Sequence, residues 1–419
     1  MANVLVIGAG IGGLSAALSL HAAGIECAVV DRVPELTPAG VGINLQPAAV
    51  RELTELGLGD ELARLGVATA EFVHYDRFGN RIWGEPRGIA AGYRWPQYSI
   101  HRGQLQMMLL RTVRRRLGSD AVATGIGFES CEQDGNRVRV RLVERADGAE
   151  TRIDAAAVIG ADGLYSAVRA QLHPDEGAPI GNGIRMWRGV NVQKPYRSEA
   201  SMVVAGRNSA AKFVAYPIAP TVDGLTTINW VAEVRLPDDG RVADWTARGE
   251  LSDVLPHYAD WDFGWLDVPG LIAASDPILE YPMVDRDPLP HWGNGRVTLL
   301  GDAAHPMYPI GSNGGSQAIL DARVLAHRLA TEPNVETALS AYEAERREAT
   351  TAIVLANRGM GPESVLRTVA ERAPQGFSDI ADILSAEELA GIEDAYLRTT
   401  GIDVERLNAR PSWSVPRPS

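Results

Sequence analysis

The opening stretch of the chain leaves few choices about how it starts to fold. Val4 to Ile7 is a short β-branched and aliphatic run of the kind that forms a strand buried on both faces. Gly8-Ala9-Gly10-Ile11-Gly12-Gly13 comes directly after it, with Gly8, Gly10 and Gly13 in G-x-G-x-x-G spacing, and Leu14 to Ala23 reads as a helix closed by Gly24. A second strand, Cys27 to Val30, ends at Asp31, 18 residues after Gly13. Each glycine has its own physical role. Gly8 permits the tight turn, Gly10 lets the backbone approach a pyrophosphate, and Gly13 lets helix and strand pack closely. The helix start adds unpaired N–H groups and positive potential. Asp31 can accept hydrogen bonds from a ribose diol, and its charge repels a 2′-phosphate. The motif therefore favours FAD or NAD over NADP and leaves those two open.

A second signal lies near residue 301. Arg296 to Leu300 reads as a strand, Gly301-Asp302-Ala303-Ala304-His305-Pro306 comes next, and a loop with Gly311, Gly314 and Gly315 leads into a helix marked by Ala318, Ile319, Ala322, Leu325, Ala326 and Leu329. Asp302 at a strand end can hold a second polyol. The helix start behind the glycine loop can stabilise developing negative charge. A second polyol and a ring that becomes anionic on reduction describe a flavin better than a nicotinamide, so FAD is the expected cofactor. A third stretch, Gly160-Ala161-Asp162-Gly163, comes after the strand Ala155 to Ile159, although Asp-Gly after a strand is also an ordinary turn.

Composition narrows the partners. Lys plus Arg is 40 against 53 Asp plus Glu, a formal charge of −13. This argues against nucleic-acid binding, which needs cations to neutralise phosphates. With 45% apolar and 22% charged residues the chain is globular rather than disordered. Cys27 and Cys131 are too few for a disulfide scaffold or a cysteine zinc site, and they suit a reducing cytoplasm. The apolar first twenty residues have no basic start and are broken by glycines, so neither a signal peptide nor a membrane span is expected. The histidines show no metal spacing, Ser166 has no G-x-S-x-G elbow, and His305 reads as a residue that shapes its turn.

The three motifs, in this order and at these separations, resemble the single-component FAD-dependent aromatic hydroxylases, the class of para-hydroxybenzoate and salicylate hydroxylases. Further segments carry the likeness: GVGINLQPAAV at Gly40 to Val50, YSIHRGQLQ at Tyr98 to Gln106, GIRMWRG at Gly183 to Gly189 and YPMVDRDPLPHWG at Tyr281 to Gly293. Within the class they resemble most the phenazine-modifying branch, of the 5-methylphenazine-1-carboxylate hydroxylase type. The likeness spans about residues 1 to 358.

The resemblance implies an α/β fold: a Rossmann-like FAD-binding domain with an inserted, smaller sheet-plus-helix substrate domain. The expected division is 1–70, 98–172 and 284–358 for FAD, 71–97 and 173–283 for substrate, and 359–419 for C-terminal helices and a Pro-rich tail. Gly8, Gly10, Gly13 and Asp31, with Arg32 beside it, would hold the ADP half of FAD. Arg102 would lie near the pyrophosphate and ribityl chain, Gly301 and Asp302 would hold the ribityl hydroxyls, and Gly311, Asn313, Gly314 and Gly315 would face the flavin pyrimidine edge. Asp162 belongs to the motif the family uses near the pyrophosphate and when reduced nicotinamide visits.

Residues 71 to 97 and 173 to 283 hold Trp83, Trp95, Trp187, Trp230, Trp245, Trp261 and Trp265, seven of the nine tryptophans. Alternating stretches such as Lys212 to Ile218 and Thr226 to Val234 read as antiparallel strands. A substrate enclosed among aromatic walls is expected, with Trp187, Arg188, Tyr216 and Trp230 as contacts and Arg185 as a further carboxylate ligand. Tyr216, as a base toward a phenol, and Pro309, beside the reacting face, are the catalytic candidates.

No second G-x-G-x-x-G serves a nicotinamide, so NADH or NADPH must visit the flavin transiently. The resemblance implies a monooxygenase acting through a flavin C4a-hydroperoxide on a carboxylated, phenazine-like aromatic, with loss of the carboxylate as a variant of the reaction. The expected partners are a small aromatic substrate and O2, without nucleic acid or membrane, in a cytoplasmic monomer or homodimer. Alternatives are a flavin reductase, a halogenase, whose W-x-W-x-I-P segment is missing, and a non-catalytic flavin-binding protein.

Overall fold

The structure is a computed structural model, and it describes residues 4–207, 209–237, 247–392 and 403–416. Its first sheet has five strands in the order Val297–Leu299, Ala157–Gly160, Val4–Ile7, Cys27–Asp31 and Val122–Thr124, every neighbouring pair parallel. Parallel strands put all their carboxyl ends on one edge, where α/β sheets bind ligands. Along that edge lie, in order, Asp302, the Asp162 turn, the Gly8 turn and Asp31. Asp31 and Asp302 end strands three spacings apart, roughly 14 Å across the sheet. One extended dinucleotide can touch both.

The helices that cover this sheet are Ile11–Ala22, Arg102–Leu117 and Gly314–Thr331, the first packed between the other two. Ile11–Ala22 begins earlier than its apolar spacing suggests because Gly10 is extended and serves as a cap without a side chain. A Cβ on Gly13 would lie 1.9 Å from the Gly8 carbonyl oxygen, so only glycine allows this helix to meet its strand. Gly8 has φ +108°, and a Cβ there would lie 2.4 Å from the Ala161 oxygen. The first and third motifs are thus in direct contact.

The inserted domain is built on a seven-stranded sheet, with more strands than the nucleotide sheet. Its order is Leu279–Asp285, Ile180–Gln193, Thr226–Arg235, Ala211–Pro217, Ser201–Gly206, Glu71–Tyr75 and Arg81–Pro86. Two small sheets went unanticipated: Ile126–Asp134 with Arg137–Glu144 and Glu150–Ala155, and Gly42–Leu45 with Gln97–His101 and Val67–Thr69. The second of these lies between the two domains and joins them.

The end of the chain is docked rather than loose as far as residue 416. Leu407 is buried beside Ala48 and Tyr93, Arg410 pairs with Glu52, and the Trp413 carbonyl lies 3.1 Å from His327 Nδ1. Of the C-terminal helices expected within 359–419, residues 393–402 lie outside the described residues. No helix among the described residues is long and apolar enough to cross a membrane.

Candidate active site

The Gly301-Asp302 turn is held from behind by buried charge. Asp321 accepts hydrogen bonds from the Gly301 N–H at 3.1 Å and Arg346 Nε at 2.7 Å, and its Oδ2 lies 2.6 Å from His305 Nε2. Burial alone would raise the Asp321 carboxyl; His305 and Arg346 overcome it and keep the group below its usual range. His305 therefore shapes the turn, as its position suggested. Arg169, itself buried, donates to the carbonyls of Ala303 and Ala304 at 2.9 Å each. Nothing local in the sequence marks a buried arginine that binds main-chain carbonyls.

Asp302 itself is left facing the cavity. Its carboxyl is raised because protein crowds the cleft around it, an effect that His305 and Arg102 oppose but do not cancel. Arg102, first residue of its helix, lines the same cavity, and Gln106 one turn on donates to the Ala9 carbonyl at 2.8 Å. Asp31 accepts from the Ala9 N–H at 2.6 Å and the Val33 N–H at 2.9 Å. Each carboxylate oxygen has two acceptor positions, so the pair still has room for a diol. Arg32 is exposed beside it.

Asp162 is occupied by its own turn. One oxygen accepts from Ser166 Oγ at 2.5 Å and the other from the Ala167 N–H at 2.7 Å, and Ser166 in turn caps the helix Ala167–Leu172 by accepting from the Arg169 N–H at 2.9 Å. The structure thus gives Asp162 a shaping role in the loop that abuts Gly8.

The loop after Pro309 is built from both sides. Gly311 and Ser312 have φ of 65° and 57°. Gln46 Nε2 donates to the Gly311 carbonyl at 3.0 Å, and the Gln46 N–H donates to Ser316 Oγ at 3.0 Å. Gly42, in the joining strand, is clasped by the large sheet. Its N–H donates to Asn229 Oδ1 at 2.7 Å, and its carbonyl accepts from Arg188 Nη2 at 2.6 Å.

Between these parts lies a cavity of about 400 Å³. Arg102, Asp302, Pro309 and Gly311 to Gly315 form one wall; Phe72, Met202, Val214, Tyr216 and Val231 form the other, with Arg188 at its margin. Successive strand residues point to opposite faces. Met186 and Arg188 therefore face the joining strand, and Trp187 between them faces away. Trp187 and Trp230 do not reach the cavity: both are fully buried on the far face, where Trp230 Nε1 donates to Ser275 Oγ at 2.8 Å.

Trp261 and Trp265 belong to that same far core, while Trp83 stacks on His74 and Trp95 lies under Arg51. Trp245 lies outside the described residues. The aromatic lining consists of Phe72, Tyr93, Tyr216 and Tyr308 instead. Arg185 also faces away and pairs with Glu280 at 3.4 Å. Burial raises the Tyr216 phenol above its ordinary value, against the pull of Arg188, so near neutral pH it is a hydrogen-bond donor.

The residues fit FAD. A Cβ on Gly10 would meet nothing within 4 Å, which leaves space beside the helix start for a pyrophosphate. Asp31 and Asp302 stand at the two ends, and the Gly311–Gly315 loop borders the cavity where a ring would lie. Among the described residues no group of histidine, cysteine or acidic side chains could hold a metal ion.

Comparison with known proteins agrees with this geometry. An FAD binding domain family matches residues 1–357. Phenazine 1,6-dicarboxylic acid hydroxylase PhzS of Lysobacter antibioticus is 50% identical over 391 residues, 92% of this chain and 96% of that protein. 3-Hydroxybenzoate 6-hydroxylase 1 of Aquipseudomonas alcaligenes is 32% identical, covering 82% and 84%. The crystal structure of a Klebsiella pneumoniae HpxO variant complexed with FAD superposes with a TM-score of 0.71 at 25% identity, covering 97% of each chain. The fold and site define a flavoprotein of the aromatic hydroxylase type. This chain belongs to the FAD-binding family of FAD-dependent aromatic monooxygenases.

Proposed function

We propose that this monooxygenase hydroxylates a planar, carboxylated aromatic of the phenazine class, using NADH or NADPH and O2. Bound FAD supplies electron transfer from the nicotinamide and activation of oxygen. The chain supplies position. Gly8, Gly10, Gly13 and Asp31 hold the ADP half, Arg102 and Asp302 the middle, and Gly311 to Gly315 the ring edge.

The apolar side chains Phe72, Met202, Val214 and Val231 exclude water from the reacting centre. Tyr216 donates a hydrogen bond to the ring substituent, Pro309 limits the approach at the reacting face, and Arg188 is the counter-charge for a carboxylate. The observation that carries the reading is one continuous cavity with Asp302 on one wall and Tyr216 and Arg188 on the other, in a chain half identical to a phenazine dicarboxylate hydroxylase. Free thiols at Cys27 and Cys131 support the accompanying proposal of a cytoplasmic enzyme, monomeric or homodimeric.

The test is a screen of phenazine and hydroxybenzoate carboxylates for accelerated NADH and NADPH oxidation, with labelled O2 and product mass. The expected result is one incorporated oxygen atom with a phenazine carboxylate, and the mass separates plain hydroxylation from hydroxylation with loss of CO2. Accelerated oxidation without incorporated oxygen would make the protein a flavin reductase.

A further inference from the structure

A charged cluster on the cavity side of the seven-stranded sheet is left unused by this scheme. Lys212 is 1% exposed, and its ammonium lies between Glu233 Oε2 at 2.8 Å and Glu363 Oε2 at 2.5 Å. Lys212 and Glu233 are directly paired on neighbouring strands, and Glu363 comes from the turn Gly361–Glu363. Both glutamates line the cavity. Arg188 pairs with Val231 in the register, which makes it the diagonal neighbour of Glu233 on the same face.

Formal charge decides what this end can bind. With all four groups ionised, Lys212 and Arg188 cancel Glu233 and Glu363. Elsewhere in the cavity Arg102 faces Asp302, and Arg87 is paired with Glu85. An anionic substrate would then enter a desolvated, apolar space with no net positive charge, which is costly. One proton on the cluster removes that obstacle: it leaves one positive charge in excess and turns a repelling carboxylate into a donor.

We propose that Glu233 determines specificity by carrying a proton while a substrate carboxylate occupies the cavity between it and Arg188. The proton comes from solvent as the anion binds, and no other bond changes. This inference rests on the carboxylated-substrate reading above. Of the titratable groups around Glu233, Lys212 and Tyr216 stand on the paired strand, Arg188 on the strand to its other side, and Glu363 on the covering turn. From the opposite face, the Tyr258 hydroxyl donates to main-chain carbonyls, those of Lys212 at 2.8 Å and Glu233 at 3.0 Å. Burial, the largest influence, raises the Glu233 carboxyl above its usual range, and Glu363 adds to this against Lys212 and Arg188.

The test titrates the FAD-loaded enzyme with phenazine-1-carboxylate and, in parallel, with uncharged phenazine-1-carboxamide from about pH 6 to 9, following the flavin absorption. Because the protonated form binds the anion, Kd for the carboxylate should rise with pH, approaching about tenfold per unit, while the carboxamide stays flat. Glu233→Gln keeps the shape and a permanent donor and should abolish the slope. Glu363→Gln likewise leaves one positive charge in excess while Glu233 is ionised, so the carboxylate should bind near neutral pH without an added proton and its Kd should rise less steeply with pH than in the wild type. A flat wild-type profile, an equal slope for the carboxamide, or an unchanged slope in Glu233→Gln overturns the inference while leaving the substrate class standing. Absence of any response to either compound at every pH overturns the substrate class, and the inference with it.

Discussion

Val4–Ile7 and Thr226–Arg235 are both buried strands, yet one serves function only through the turn at its carboxyl end and the other through alternate residues along its length. In the parallel sheet the strands pack into the core, and the residues proposed to hold FAD lie in the turns at one edge: Gly8 to Gly13, Asp31, Asp302. In the seven-stranded sheet, antiparallel but for the pair Ser201–Gly206 and Glu71–Tyr75, the core and the cavity share the same strands, so Trp230 belongs to one and Val231 to the other. Position in a turn separates function from packing in the first case. Parity along a strand separates them in the second.

The sharpest way to break this contrast is within the first turn. Gly13→Ala places a Cβ against the Gly8 oxygen, and should abolish FAD retention while lowering the melting temperature. Gly10→Ala meets nothing in the folded chain and should leave apoprotein melting unchanged, yet cut FAD binding at least about tenfold by filling the pyrophosphate space. Equal effects of the two on melting would show that the turn is merely tight packing.

On the other sheet the expected effects are opposite in kind. Trp230→Ala empties a fully buried site on the far face and should cost about 3–5 kcal/mol of unfolding free energy. The Kd for FAD and the affinity for substrate in the surviving folded protein should not change, as binding titrations can check.

That difference explains what could be read from the chain. The nucleotide sheet was legible because its signals are local: a glycine turn at Gly8–Gly13, Asp31 at the end of the next strand, and Gly-Asp or Asp-Gly turns at 162 and 302, each directly after an aliphatic run. The strands Ala211–Pro217 and Thr226–Arg235 were legible too, within a residue of where alternation placed them. Which face they turn toward the flavin was not, because burial is nearly continuous along both. Two aromatic-rich faces then look alike, and Trp187 and Trp230, expected at the substrate, lie in the far core. In the Lys212, Glu233 and Glu363 cluster, the partners of Lys212 lie 21 and 151 residues away in sequence, so no spacing could announce it. Arg169 and Asp321, which hold the Asp302 turn, act across comparable separations.

Asp302→Ala tests the edge of the parallel sheet with a smaller effect. In the proposed site it would remove charge-assisted hydrogen bonds to the ribityl chain, about 1.5–3 kcal/mol, or roughly 10- to 100-fold in FAD affinity. Its carboxyl is raised, so its ionisation opposes the folded apoprotein rather than supporting it. Apoprotein melting should therefore hold or rise at neutral pH. A fall in stability with unchanged FAD affinity would remove Asp302 from the site.

Tyr216→Phe is the mildest change and the most direct probe of the cavity face. The ring and its burial remain, so the loss should not exceed about 1.5 kcal/mol of stability, and FAD affinity should stay as it is. The expected effect is on coupling: a smaller share of the NADH or NADPH consumed should appear as hydroxylated product, because the substituent that the phenol is proposed to orient is left without its donor. Burial keeps that phenol protonated well above neutrality, so the wild-type rate should show no limb from Tyr216 across the neutral range. An alkaline limb near about pH 8 to 9 that disappears in the phenylalanine variant would make Tyr216 a base. Arg188 would then have to outweigh burial at this position, and the cavity face would tune its groups by charge, as the Asp321 network does behind the parallel sheet.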